Sequence, residues 1–179
     1  ADFFRLNGIS YEALPIETND EGKENLFAGR CDVYTTDASG LSSTRAAASN
    51  PDKWVVLPEI ISKEPLGPLV RHGDHQWGDV VRWSLNAMII AEELGITSEN
   101  VDAQMSSNVP EVLRLLGVEG NYGEMLELSN DWAYQIIKQI GNYSESYEAN
   151  VGPDTPLEIA RGLNALWTQG GILYAPPFR

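Results

Sequence analysis

Up to Val70 the apolar residues come in short runs separated by Gly, Pro and Asn, and after Arg71 they recur at helical spacing. The opening ADFFRLNG reads as the last turns of a helix, with Phe3, Phe4 and Leu6 apolar and Gly8 as the left-handed residue that ends it. Residues 9–17, ISYEALPIE, predict a strand that Pro15 puts near an edge or bend. Asn19 and Asp20 are expected to cap a short helix through Leu26 and Phe27, closed by Gly29. Val33, Tyr34, Thr35 and Thr36 then read as a strand with Asp37 at its carboxyl end, followed by a helix-forming run over 41–48. Asn50-Pro51-Asp52 stops that helix, because the residue before a proline avoids the α region. Strand, helix and strand in this order are the grammar of a parallel sheet, and the fold class expected is α/β.

Trp54, Val55, Val56 and Leu57 predict a buried strand broken by Pro58, and a second apolar run covers 66–70. Between them lies the polar connector Ser62-Lys63-Glu64. The helix after Arg71 carries Trp77, Val81, Ser84, Met88 and Ala91 on one face, widened by Val80 and Leu85, and Gly95 ends it. A Ser- and Asn-rich loop over 98–108, a short helix around 112–116 and a turn region over 117–123 come next. Residues 129–147 predict one helix with Trp132, Ile136, Ile140, Tyr143 and Tyr147 on one side. Thr155-Pro156-Leu157-Glu158 has the form of a capping box for a helix through Ile159, Leu163 and Trp167, ahead of an extended tail.

Charge narrows the partners. With 12 basic against 26 acidic residues the net charge is −14, so phosphate backbones and anionic membrane surfaces are repelled. The longest uncharged apolar stretch, 83–91 apart from Ser84 and Asn86, is far below the ~20 residues of a bilayer span. A chain of 179 residues that is 42% hydrophobic suits one domain or two small lobes. Neither a P-loop nor a dinucleotide fingerprint occurs, and TDASG around Ser39 lacks the first glycine of G-x-S-x-G. His72 and His75 flank Asp74, but one loop supplies too few ligands for a metal; a solvated loop is expected, with no metal and no cofactor. The single cysteine, Cys31, reads as a small buried hydrophobe or as half of a bridge whose partner lies outside these residues.

Asp37 carries the candidate chemistry and has two readings. An Asp before a helix is a good N-cap, and an Asp at the carboxyl end of a strand in an open α/β sheet lies where ligands bind. The segment GRCDVYTTD, its small-residue helix and NPDKWVVLPEIISKEPLGPLVR together resemble the distal half of periplasmic amino-acid-binding proteins of ABC transporters, most nearly the general L-amino-acid-binding group. In that family an Asp ends the motif G-R-x-D-x-x-x-x-D and holds the ligand's α-ammonium group, a role the resemblance assigns to Asp37.

The resemblance implies a two-lobed periplasmic binding protein of type II with parallel-sheet lobes and a C-terminal helical extension. Residues 1–62 would belong to lobe two, 63–118 to the hinge return and the strand and helices of lobe one, and 119–179 to the extension packed on lobe one. It implies capture of free L-amino acids in the periplasm and delivery to a membrane permease, with no reaction catalysed. It also puts the chain's start inside lobe two, so that a signal peptide, the first strands of lobe one and the Arg for the ligand's carboxylate are expected before it. Two alternatives share the scaffold: an enzyme similar to cyclohexadienyl dehydratases, which would need an acid or base of shifted pKa in the cleft, and a receptor's ligand-sensing domain, which would continue into a membrane helix.

Overall fold

The structure, a computed structural model, describes residues 2–179. Eight α-helices are formed among them: α1 (Asp2–Leu6), α2 (Asn19–Phe27), α3 (Ala38–Ala46), α4 (His75–Glu93), α5 (Val101–Gln104), α6 (Pro110–Leu115), α7 (Trp132–Ile140) and α8 (Tyr143–Asn150). The chain divides into two compact units, one ending at Leu66 and the other running from Gly67 to Arg179. Among the described residues no helix is long and apolar enough to cross a membrane.

Four of the helices end at a glycine with the same pair of backbone bonds. After α2, Gly29 has φ +69°, its N–H donates to the Leu26 carbonyl at 3.0 Å, and the Arg30 N–H donates to the Asn25 carbonyl at 2.9 Å. This is the Schellman closure, in which two orphan carbonyls are satisfied at once and the left-handed residue lacks a Cβ. Gly8, Gly95 and Gly117 close α1, α4 and α6 in the same way, with Ile9, Ile96 and Val118 donating the second bond.

In the first unit the helices form and the expected strands do not. Residues 9–17, 33–36 and 54–57 have no strand character, and the same holds for 66–70 at the start of the second unit. Among the described residues the one β-type pairing is an isolated parallel bridge between Leu166 and Leu173. A strand is completed by a neighbour's N–H and C=O groups, and among the described residues no segment supplies them here. Several apolar side chains of these runs accordingly stay in water: Val33 is 60% exposed, Val55 78% and Leu69 98%. Around α2, Gly22 lets Tyr34 and Ile16 close on the helix and the Tyr34 hydroxyl donates to Asn19 Oδ1 at 3.1 Å. The cap of α2 is Thr18, one residue before the expected pair, and its side chain accepts from the Glu21 N–H. Phe27 and Trp54 add a ring contact at 5.1 Å.

The second unit has a packed core. It gathers Ala87, Ile89, Ile90 and Ala91 of α4 with Ile96, Val101, Leu115, Leu116, Trp132 and Ile137. α4 matches its predicted span, but the buried face lies toward its C-terminal half, and Trp77 and Leu85 of the expected stripe are exposed. Phe178 near the chain's end is buried between Trp83, Tyr122 and Trp132, with ring centroids 5.2 to 6.1 Å away, and Arg114 Nε donates to its carbonyl at 3.0 Å.

Two predictions in this unit need correction. The helix expected over 129–147 is two helices, because Gly141 adopts φ +92° and Asn142 restarts the chain as a new N-cap. The capping box belongs here: Asn142 Oδ1 accepts from the Glu145 N–H at 3.0 Å, and Glu145 Oε2 accepts from the Asn142 N–H at 2.8 Å. At Thr155 no helix follows. Glu158 sits at φ +53°, outside helical backbone, and Thr155 bonds the Gly152 carbonyl and the Leu157 N–H within a turn. Only the short 3-10 turns Gly162–Asn164 and Trp167–Gln169 form beyond it.

Candidate functional site

Asp37 is the N-cap of α3, with extended backbone at φ −61° and ψ 154° that turns the chain from the 31–36 segment into the helix. Its Oδ2 accepts from the Gly40 N–H at 2.8 Å and from the Ser39 hydroxyl at 2.5 Å, and its Oδ1 accepts from the Thr36 hydroxyl at 3.3 Å. The Ser39 hydroxyl holds the carboxyl below its ordinary value, helped by the Gly40 amide and, less strongly, by Thr36; partial burial opposes them. Asp37 is therefore an ionised acceptor at neutral pH, half-buried, with short polar side chains on both flanks. Such a group can take a charge-assisted hydrogen bond from an ammonium.

The motif leading to Asp37 is built from the closure of α2. Gly29 and Arg30 supply its two terminal amides, and the Arg30 guanidinium returns to Asn25 Oδ1 at 2.8 Å. Among the described residues of the first unit Asn25 is one of four that are buried, with Gly22, Ser42 and Thr44, and none of the four is a large apolar residue. Cys31 is half-buried with a free thiol. Sequence reasoning picked out Asp37 but passed over Ser39, Gly40 and Thr36; the signal for them was their position within three residues of an N-cap, where side chains and amides converge.

His72 and His75 share a shallow surface pocket with Arg71 and Arg82, Asp74 caps the Trp77 N–H, and Asp79 pairs with Arg82 at 3.1 Å. Among the described residues no group of three or more His, Cys, Asp or Glu could hold a metal ion. The buried charge of the second unit is also taken up structurally. Arg161 lies over the Tyr143 and Tyr147 rings, 5.3 Å from each centroid, and donates to both Glu92 carboxylate oxygens at 3.0 Å. A further pocket beside α4 is lined in part by Glu93 and Trp167, whose side chains bond each other at 3.0 Å.

No family model matches the chain. Curated relatives match it from end to end. It is 55% identical to a glutamate/glutamine/aspartate/asparagine-binding protein of Rhodobacter capsulatus, and covers 53% of that protein's length. It is 53% identical to a putative amino-acid ABC transporter-binding protein of Escherichia coli and 54% identical to a general L-amino acid-binding periplasmic protein of Rhizobium johnstonii. Among solved structures, an ABC transporter periplasmic binding protein from Brucella ovis with glutathione bound is 50% identical and superposes with a TM-score of 0.92, over 99% of this chain and 56% of that one. Along its whole length the chain is related to the amino-acid-binding proteins of ABC transporters, and it spans about half the length of the curated relatives it matches.

Proposed function

We propose that this chain supplies the Asp37 side of an amino-acid-binding cleft in the solute-binding component of an ABC importer, working in the periplasm and handing its ligand to a membrane permease. The observation that carries this reading is the identity of 53% to 55% over the full chain with proteins named for binding amino acids. The motif ending at Asp37 adds the chemistry. A free amino acid is a zwitterion, and its ammonium needs an ionised carboxylate with the bonding that Ser39, Gly40 and Thr36 give Asp37. We read residues 1–62 as part of lobe two, 63–118 as the return to lobe one, and 119–179 as a helical extension on it. The apolar runs at 33–36, 54–57 and 66–70 are then strands of parallel sheets whose partners come from the other half of the binding protein.

The name of the Rhodobacter relative favours acidic amino acids and their amides, and that of the Rhizobium relative L-amino acids in general. The Brucella structure favours a second ligand, glutathione, whose γ-glutamyl end carries the same free α-ammonium and α-carboxylate. One carboxylate partner serves both. Catalysis is the weaker reading, since the relatives are named as binding proteins and Asp37 is held low rather than poised near neutrality.

Titration calorimetry on the complete native polypeptide tests this with a panel of L-amino acids and glutathione, and chromatography of the same mixtures checks for turnover. Asp37→Ala should lose about 2–5 kcal/mol of binding, because the ammonium is left desolvated without its partner. Unchanged affinity sinks the role of Asp37, and product formation sinks the binding-protein reading.

A further inference from the structure

We propose that Ser39 and Gly40 are positioning residues that set the Asp37 carboxylate, occupying Oδ2 so that Oδ1 is the oxygen presented to a ligand's ammonium group. The inference rests on the reading of Asp37 as that group's partner. Its basis is geometric. Ser39 and the Gly40 amide both donate to Oδ2, at 2.5 and 2.8 Å, while Oδ1 takes the longer bond from Thr36 at 3.3 Å. Two donors on one oxygen fix the carboxylate plane, and the second oxygen is left with its stronger acceptor capacity unspent.

Gly40 contributes by what it lacks. A Cβ built on it would stand 2.9 Å from Asp37 Oδ1 and 3.1 Å from Thr36 Cγ2, so the space beside the presented oxygen exists because residue 40 has no side chain. The obstructing atom is the free end of a side chain, which can swing away, so an added methyl would displace the carboxylate without breaking the fold. Gly40 lies inside α3, where alanine is the better helix former. At a residue kept only for the fold that change would leave binding intact, whereas at one kept for positioning it would impair binding.

The two effects separate in one experiment on the complete native polypeptide with L-glutamate as the probe. Gly40→Ala should change the melting temperature little, the helix gain offsetting the disturbed cap, while weakening binding roughly tenfold, the loss of about one charge-assisted bond. Ser39→Ala should weaken binding by a similar factor and move the acid limb of the binding profile to higher pH, since the hydroxyl that favours the ionised form is gone. Carbon NMR of the Asp37 carboxyl in the ligand-free protein should show the same upward shift, and Ser39→Thr should restore both. Asp37→Asn, measured alongside, tells the two ideas apart. If it binds as wild type, the reading of Asp37 falls and this inference with it. If it loses binding while Gly40→Ala and Ser39→Ala bind as wild type with an unmoved carboxyl titration, only the positioning role is overturned.

Discussion

At Asp37 one carboxylate starts a helix and, in the reading proposed above, meets a ligand. The N-cap was legible from the sequence because an Asp followed by small helix-forming residues has few other local uses. Its bonding to Ser39 was not, since a hydroxyl two residues on can equally face solvent and only the φ and ψ of the cap decide. The capping role has its own pH signature. The folded carboxyl lies below its ordinary 3.8, so its bonds stabilise the fold above that value and are lost as pH falls through the lower folded one. The stability difference between wild type and Asp37→Asn, followed by urea unfolding from neutral pH downward, should therefore be greatest at neutral pH and shrink below pH 3.8. A difference that grows on acidification would contradict the assignment.

Among the elements, helices closed by glycine were readable and helices opened by a box were not. Gly8, Gly29 and Gly95 end helices where the pattern predicted, because a left-handed residue followed by an apolar one has a single local meaning. The box at Thr155 failed on the backbone of Glu158, a quantity that residue types alone do not carry. Asn142 and Glu145 were hidden inside an apolar stripe that continues past Gly141, so the periodicity argued for one helix. Tertiary contacts favour the break. Asn142 is buried and its amide donates to the Ile96 carbonyl at 2.9 Å, while Glu145 accepts from the Ser98 hydroxyl at 2.6 Å and from its N–H at 3.1 Å. Asn142→Ala should thus cost about 2–3 kcal/mol in chemical denaturation, a lost cap plus a buried carbonyl left without a donor. Gly141→Ala should be destabilising as well, since its Cβ would meet Glu145 Cβ at 2.7 Å with φ at +92°. A neutral Asn142→Ala would mean that α8 does not depend on this junction.

For the chain as a whole, the sequence carried the apolar runs of a parallel sheet but could not carry the sheet, because pairing is a property of two segments and here no second one is present among the described residues. The result is an uneven distribution of stability. Among its described residues the first unit has no buried large apolar side chain, and its runs at 9–17, 33–36 and 54–57 have no ladder hydrogen bonds. The second unit closes its core around α4 and α7, with Ala87, Ala91, Ala133 and Ile137 fully buried. Amide exchange follows the free energy of local opening, which is set by such burial and by how many backbone groups have partners. In the 179-residue chain we expect the amides of 10–16, 31–36 and 55–70 to exchange with deuterium within seconds, and those of the C-terminal half of α4 and of α7 to be protected by orders of magnitude more. Adding L-glutamate should leave this pattern unchanged, because an ammonium bound to Asp37 alone, in contact with water, gains only about 0 to 1 kcal/mol. Exchange mass spectrometry on the chain decides the matter. Slow exchange across 33–36 and 54–57 without ligand would mean that these runs have found sheet partners, whether in a second copy of the chain or in a rearranged first unit, and protection that appears only with L-glutamate would mean that Asp37 is not acting alone.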